Sequence, residues 1–82
     1  MEYKIIIIKV DQREEAASGV QSVLTEFGCS IKVRLGLHDI PNNTCSPSGL
    51  IFLQVVDEEK TIKKMIDKLN GINNVSAKYL TI

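Results

Sequence analysis

The amino-acid sequence predicts a small α+β domain with the element order β-α-β-β-α-β. Two continuous apolar runs, at residues 3–10 and 50–56, have the length and the β-branched composition of buried strands. Each run is followed by a segment with apolar residues at helical spacing, and strand-like segments at 30–37 and 75–82 complete the order. With 82 residues, the chain is expected to form one domain that spans 1–82.

The first helix is predicted to begin after Asp11 and to end at Gly28. Asp11 is a favourable N-cap residue, and Glu14 three positions later completes a capping-box pattern. Gly28 lies just past the last apolar residue of the pattern, where a helix C-terminus is favoured. The apolar residues of this helix recur at helical spacing: Ala16, Val20, Val23, Leu24 and Phe27.

The second strand is predicted from the strict alternation in SIKVRLGL, residues 30–37. Its apolar members are expected to share the covered face of the sheet: Ile31, Val33, Leu35 and Leu37. The intervening residues are expected on the open face: Lys32, Arg34 and Gly36. The stretch HDIPNNTCSPSG that follows contains both prolines of the chain and is predicted to be a loop.

The second helix is predicted to open at residues 57–61 and to end at Gly71. Its apolar stripe follows the i, i+3, i+4, i+7 pattern: Ile62, Met65, Ile66 and Leu69. With right-handed crossovers, the element order gives a four-stranded antiparallel sheet with both helices on one face, the ferredoxin-like arrangement. The first and third strands are central in this sheet, and the second and fourth are at its edges.

Two helices cover only one face of such a sheet, yet the central strands are apolar on both faces. Ile5 and Ile7 point away from Ile6 and Ile8, and Phe52 lies in a similarly apolar strand. The uncovered set would expose several hundred Å², more than a monomer usually tolerates. Its burial is worth several kcal/mol at about 25 cal/mol per Å². We therefore expect a homodimer or a homotetramer, packed sheet to sheet or edge to edge.

Composition and charge exclude several function classes. Ten basic and ten acidic residues give a net charge of zero, so no direct nucleic-acid partner is expected. No apolar run approaches the roughly 20 residues of a membrane helix, so no membrane partner is expected. The opening apolar run is too short for a signal peptide, and Cys29 and Cys45 are expected to be reduced thiols in a cytoplasm. The lysines of the second helix are expected to form a solvated face: Lys60, Lys63, Lys64 and Lys68.

Few residues in the chain are candidates for chemistry. Cys29, His38 and Cys45 could together bind zinc or nickel, but their spacing matches no paired-ligand motif, and no cofactor is expected. A Cys/His nucleophile pair would need an orienting group and a concave pocket, so no enzyme is expected. Arg34 beside Gly36 is either an edge-strand charge that discourages aggregation or a functional residue, which contacts an anion or forms a pair between subunits.

Three segments resemble a known family: RLGL at 34–37, KIIIIKVDQREEA at the start and LNGINNVSAKYLTI at the end. They are similar to the small regulators associated with iron-only hydrogenase systems, which belong to the ACT-like, ferredoxin-like group. The resemblance covers essentially the whole chain and implies a homo-oligomeric, non-catalytic regulatory protein. ACT domains bind amino acids near the first strand-to-helix turn, at subunit interfaces. The matching position here is Asp11, and Gln12 replaces the glycine that usually follows the aspartate.

The sequence therefore predicts a cytoplasmic regulatory or ligand-sensing module. A small-molecule effector such as an amino acid is expected in an interface cleft formed by Asp11, Arg34, Gly36 and the loop with His38 and Cys45. The chain contains no helix-turn-helix pattern, so any action on transcription is expected to pass through a protein partner. The alternative prediction is a metal-binding module that uses His38 and Cys45.

Overall fold

The computed structural model describes residues 2–11, 13–38 and 48–82, with the main chain alone for residues 13–15, 37 and 38. Its elements follow the predicted order: β1 (Lys4–Val10), α1 (Arg13–Glu26), a 3₁₀ turn (Gly28–Ser30), β2 (Ile31–His38), β3 (Gly49–Val55), α2 (Glu59–Asn70) and β4 (Val75–Thr81). The strands form one antiparallel sheet in the order β2-β3-β1-β4. The predicted ferredoxin-like fold is confirmed, with β1 and β3 at the centre.

The hydrophobic core lies between the sheet and the two helices, which share one face. Ile6 and Ile8 of β1 are fully buried there, opposite Leu53 and Ile51 of β3. The buried residues of the helices are apolar and recur at helical spacing: Ala16, Val20, Val23, Leu24, Ile62, Met65 and Leu69. Burial of such side chains contributes about 1.5–3 kcal/mol each, which makes this face the main source of stability.

Both helices end near the predicted glycines, but neither glycine adopts the left-handed conformation of a typical C-terminal cap. Gly28 opens the 3₁₀ turn, and Gly71 keeps a right-handed φ of −78°. The left-handed residue after α2 is Asn74, with φ 68°, a conformation that asparagine tolerates better than most residues. The capping box predicted for α1 depends on the side chain of Glu14, which lies outside the described residues.

Strand β2 contains one extra residue, Lys32. Ile31 lies opposite Val55, while Val33 lies opposite Gln54, so Lys32 has no counterpart on β3. An extra residue of this kind is a β-bulge, and it reverses the face on which every later side chain of the strand lies. The strict alternation predicted for residues 30–37 is therefore interrupted after its first apolar residue.

After the bulge, the side chains of β2 lie on the faces of the sheet opposite to those predicted. Val33 and Leu35 were expected on the covered face but lie on the open one, where they are 49% and 53% exposed. Arg34 and Gly36 were expected on the open face but lie on the helix side, opposite Leu53 and Ile51. The prediction was wrong because Ile31, before the bulge, and Val33, after it, belong to one apolar alternation in the sequence. The bulge places these two residues on opposite faces of the sheet.

The open face of the sheet is apolar, as the sequence predicts. All of the most exposed large apolar side chains in the described part of the chain lie on it: Tyr3, Val33, Leu35, Leu50, Val56, Leu80 and Ile82. Ile5, Ile7 and Phe52 lie between them and are half-buried. The charged residues of β1 and β4 on this face are Lys9 and Lys78. This face is thus a hydrophobic surface with one basic corner.

Asn70 closes the outer edge of β4. Its side-chain Nδ2 donates to the carbonyl of Ala77 (3.1 Å), and its Oδ1 accepts from the Ala77 N–H (2.7 Å). The amide thus occupies the positions of a neighbouring strand at the middle of β4. The unpaired N–H and carbonyl groups of an edge strand can pair with another chain and promote aggregation. A side chain that bonds to these groups makes such pairing less favourable.

Asn70→Ala is expected to lower the free energy of unfolding by about 1–2 kcal/mol, because it leaves two backbone groups of Ala77 without protein partners. It is also expected to increase light scattering during concentration. Urea unfolding and static light scattering measure the two effects. Asn73→Ala, at an exposed asparagine of the following turn, is the matched control. Equal behaviour of the two variants would contradict the role given to Asn70.

Ser30 and Asp57 join the start of β2 to the start of α2. The buried Ser30 hydroxyl donates to Asp57 Oδ2 (2.5 Å), and the Glu58 N–H donates to Asp57 Oδ1 (2.7 Å). The Ser30 carbonyl also accepts from the Val56 N–H (2.8 Å). The bond from Ser30, followed by that from Glu58, lowers the pKa of the Asp57 carboxyl below its ordinary value.

Ser30→Ala is expected to destabilise the protein at pH 7 in a pH-dependent way. Because the folded-state pKa of Asp57 is the lower one, its stabilisation is present above about pH 4 and is lost as the pH falls through that folded-state value. Urea unfolding of wild type and variant across this range should therefore show a difference that shrinks on acidification. Ser76→Ala, at an exposed serine of β4, is the control. A difference that stays constant with pH would contradict the linkage.

Candidate functional site

A groove lies on the helix side of the sheet, between α1 and the edge formed by β2 and β3. It arises because α1 packs on β1 and α2 on β4, which leaves β2 incompletely covered. The groove encloses about 570 Å³. This is within the range of about 300–1,000 Å³ that is typical of small-molecule sites. The helix α1 contributes Ala17, Ser18 and Gln21 to the lining. The surface of the groove as a whole is largely apolar.

Two glycines keep the floor of the groove low. Gly36 of β2 lies opposite Ile51, and Gly49 of β3 lies opposite Val10, so four floor positions carry only two side chains. A Cβ atom built on Gly36 would meet no atom within 4 Å, so the space above this residue is open. A ligand can therefore approach the backbone of β2 directly.

Arg34 is the charged residue that lines the groove. Its Nη1 donates to Gln21 Oε1 (3.1 Å), which holds the guanidinium between β2 and α1. Among the described residues, Arg34 has no acidic partner, and a guanidinium carries five N–H donors in a planar fork. Such a fork binds a carboxylate or a phosphate through two parallel hydrogen bonds. The groove thus offers an apolar floor and one anion-binding group.

Asp11 lies beside the groove and has other contacts. It directly follows Val10, which lines the groove, and its Oδ1 accepts from the Ser48 hydroxyl (2.9 Å). Its Oδ2 lies 3.8 Å from Lys9 Nζ, and its N–H donates to the Asn74 carbonyl (2.7 Å). The Ser48 contact ties the end of β1 to the start of β3, and the Asn74 contact ties it to the start of β4. A ligand-binding role for Asp11 stays a prediction.

The remaining predicted site residues are at or beyond the end of β2. The main chain of His38 ends the strand, opposite Gly49 of the groove floor, while the His38 side chain and all of Cys45 lie outside the described residues. The metal-binding alternative that uses these two residues therefore stays a prediction. Among residues 2–11, 13–38 and 48–82, no group of three histidine, cysteine or acidic side chains could hold a metal ion.

Cys29 cannot join His38 at one metal ion within a chain, which corrects the three-ligand set. Cys29 precedes β2, and His38 is its last residue. Seven residue steps of about 3.3 Å each separate the ends of this strand by roughly 23 Å. Two ligands of one zinc ion lie only about 2.0–2.3 Å from the metal. Cys29 is an exposed thiol at the opposite end of the strand.

Gln21 and Ser18 are groove residues that the sequence reasoning missed. They lie three positions apart on α1, next to Ala17 and Val20, which also line the groove. Two polar side chains on one side of a helix can be recognised from the sequence alone. They were not assigned to the site because Arg34 was expected on the other face of the sheet, away from the helices.

A second polar cluster, at the far end of the sheet, has its charges paired. The Tyr79 hydroxyl donates to Glu59 Oε1 (2.8 Å), and Lys4 Nζ lies 3.6 Å from the same oxygen. Lys4 Nζ also donates to the Asp57 carbonyl (2.8 Å). Desolvation, followed by the bond to Glu59, raises the pKa of Tyr79 to about 12. This cluster holds β1, β4 and α2 together and presents no free charge to a ligand.

Solved structures with the same fold cover almost the whole chain. The uncharacterized protein TM1266 of Thermotoga maritima is 26% identical, with a TM-score of 0.84 over 100% of this chain and 99% of its own. The ACT domain of a GTP pyrophosphokinase from Chlorobium tepidum is 16% identical, with a TM-score of 0.66 over 98% and 97% of the two chains. These neighbours are small ACT-like proteins.

A third neighbour is CPII from Thiomonas intermedia, a nitrogen regulatory PII-like protein bound to ADP, AMP and bicarbonate. It is 11% identical, with a TM-score of 0.59 over 100% of this chain and 93% of its own. No protein-family model matches the sequence, and no curated protein matches it. None of the described helices is long and apolar enough to cross a membrane.

Proposed function

We propose that this protein is a small, non-catalytic regulatory module that senses an anionic small molecule. The effector binds in the groove between α1 and β2, and the module acts as a homo-oligomer on a protein partner in the cytoplasm. The observation that carries this proposal is Arg34, which projects a guanidinium with no acidic partner among the described residues into a largely apolar groove.

The neighbours support the regulatory part of the proposal. ACT domains and PII-like proteins share this fold, and CPII binds ADP, AMP and bicarbonate, all of which are anions. We also propose that this protein acts in connection with an iron-only hydrogenase system. This part of the proposal rests on the sequence resemblance in RLGL and in the two terminal segments. The polar side chains that line the groove also favour binding over catalysis. Ser18 and Gln21 can donate and accept hydrogen bonds and Arg34 can donate them, but none of the three is a general base that titrates near neutral pH.

A mechanism for sensing follows from the Arg34–Gln21 hydrogen bond, which joins β2 to α1 across the groove. An anion that binds Arg34 competes with Gln21 for the guanidinium and contacts both elements. Binding is therefore coupled to the relative position of helix and edge strand. A ligand shifts such an equilibrium by its difference in affinity for the two positions.

The open face of the sheet supports homo-oligomerisation. Its exposed side chains include Leu50 and Leu80, and Phe52 and Ile7 lie half-buried between them. A second copy packed on this face would remove several hundred Å² of apolar surface from water. At about 25 cal/mol per Å², this burial contributes several kcal/mol to association.

Effector binding is expected to depend on Arg34. A thermal-shift screen of amino acids, small carboxylates and nucleotides should yield an anion that raises the unfolding midpoint of the wild-type protein. At about one hundred times its Kd, a ligand adds about 2.7 kcal/mol. In a domain of this size, that energy corresponds to roughly 10–20 °C.

Arg34→Gln should abolish this shift, while Lys32→Gln, at the neighbouring basic residue of the bulge, should preserve it. The two substitutions remove the same charge from the same strand. If no anion raises the midpoint, or if both variants respond as the wild type does, the sensing function is wrong.

Self-association is expected to depend on the open face. In sedimentation velocity at micromolar concentration, the wild-type protein should be an oligomer, and Leu80→Glu should lower its mass, because it places a carboxylate in the apolar contact. Thr81→Glu is the control, since this exposed neighbour lies on the opposite face of the same strand. A monomeric wild type, or equal effects of the two variants, would rule out the contact.

A further inference from the structure

We propose that the effector of the groove is an aliphatic monocarboxylate, with its carboxylate on Arg34 and its hydrocarbon chain on the floor that Gly36 leaves open. This inference rests on the proposed function and specifies the ligand class of that site. It excludes two other classes of anion as effectors. One is the α-amino acids, which carry an ammonium beside the carboxylate, and the other is anions with two or more negative charges.

The charge of the groove matches a single negative charge. Arg34 is the one charged side chain among the described residues that line the groove, and none of the described acidic groups pairs with it. A carboxylate neutralises this guanidinium through two parallel hydrogen bonds. A second carboxylate of the same ligand would then lie on an apolar surface without a cation, where an unpaired charge is unfavourable.

The Gln21 amide turns an acceptor towards the guanidinium. Its Nε2 donates to Thr25 Oγ1 (3.3 Å), and its Oε1 accepts from Arg34 Nη1 (3.1 Å). The amide donor is thus engaged along α1, while the amide oxygen lies beside Arg34. An acceptor in this position repels a second anionic group of the ligand rather than binding it.

An α-ammonium would lie next to the guanidinium, because it is bonded to the carbon that carries the carboxylate. Even at the dielectric constant of water, two like charges about 4 Å apart weaken binding roughly fivefold. The described lining offers only the neutral oxygens of Ser18 and Gln21 as side-chain acceptors, and Gln21 Oε1 already accepts from Arg34. The carboxylate of Asp11, beside the groove, is engaged by Ser48. The site therefore favours a carboxylate without an ammonium.

The floor of the groove fits a hydrocarbon chain. Val10, Val20 and Ile51 line it, and all three are buried or half-buried apolar residues. Gly36 lies opposite Ile51, and the space above it is open. Arg34 and Gly36 are two residues apart on one face of β2, so a carboxylate and its chain can lie side by side along the strand. None of the described lining residues is aromatic, so they offer no stacking surface for a nucleobase.

Heteronuclear NMR titration of the ¹⁵N-labelled protein tests the ligand class. 4-Methylpentanoate is expected to shift the amide resonances of Gly36 and Gly49, and Arg34→Gln should weaken its binding at least tenfold. Leucine is the matched ligand, because it differs from 4-methylpentanoate only by the ammonium, and it should bind at least fivefold more weakly. Glutarate, in which a carboxylate replaces the terminal methyl group of pentanoate, should likewise bind at least fivefold more weakly than pentanoate.

Gly36→Val tests where the chain lies. A Cβ at this position meets no atom within 4 Å, and none of the described glycines has a positive φ, so the valine is expected to fill the open space without strain. Valine favours strands, so circular dichroism and urea unfolding should show a fold at least as stable as that of the wild type.

The readout is the preference for a long chain over a short one. The wild-type protein should bind 4-methylpentanoate more than tenfold more tightly than propanoate, because each additional buried carbon contributes roughly fourfold. In Gly36→Val this ratio should fall below about threefold, because the valine occupies the place of the chain. Leu35→Val is the matched control and should keep the wild-type ratio, since this side chain lies on the open face.

The outcomes separate this inference from the proposed function. Leucine or glutarate binding through Arg34 as tightly as its matched monocarboxylate would overturn the inference while upholding the proposed function. The same long-chain preference in Gly36→Val as in the wild type would overturn the position given to the chain. No binding of 4-methylpentanoate, or binding that Arg34→Gln leaves unchanged, would overturn the inference, and the proposed function would then depend on the anion screen.

Discussion

The position of one extra residue, Lys32, determines what both faces of the sheet can do. Before it, Ile31 faces the helices; after it, Arg34 and Gly36 do. A regular strand would place Val33 and Leu35 over the groove and send Arg34 to the open face. The groove would then be filled with apolar side chains, and the apolar surface would carry a charge. The bulge thus separates a groove with one anion-binding group from a hydrophobic surface on the same short strand.

A second constraint is the number of helices. The two helices lie on one side of the four-stranded sheet, over β1 and β4, and leave β2 incompletely covered. Two regions are left over, and they differ in chemistry. The open face is broad and apolar, which suits another protein surface. The groove beside α1 encloses about 570 Å³ and carries Ser18, Gln21 and Arg34, which suits a small molecule with a polar group.

Periodicity alone was enough to predict the element order, the central position of β1 and β3 and the apolar character of both faces. These features depend on residues close in sequence, and a period of 2 or 3.6 reveals them. The bulge was not predictable in this way, because Ile31 and Val33 are both apolar and fit one alternation. The ends of the helices were located from Gly28 and Gly71, although neither glycine has a left-handed backbone.

The candidate site was predicted in part. Arg34 and Gly36 were selected for their chemistry, and the structure brings them together in the groove, but on the face opposite to the expected one. Gln21 was missed because its bond to Arg34 joins residues 13 positions apart, on a helix and a strand whose relative position no local pattern encodes. Long-range pairs of this kind depend on how the elements pack together. Here the contact between Arg34 and α1 depends on the register of β2.

The amide of Asn70 has a consequence for the size that assemblies of this chain can reach. A sheet with two free sides can recruit new subunits at each of them in turn, and such head-to-tail addition produces an endless ribbon. The Asn70 amide obstructs such addition on the β4 side, because it occupies the N–H and the carbonyl of Ala77. A single side chain on α2 thereby favours a finite particle over a fibre.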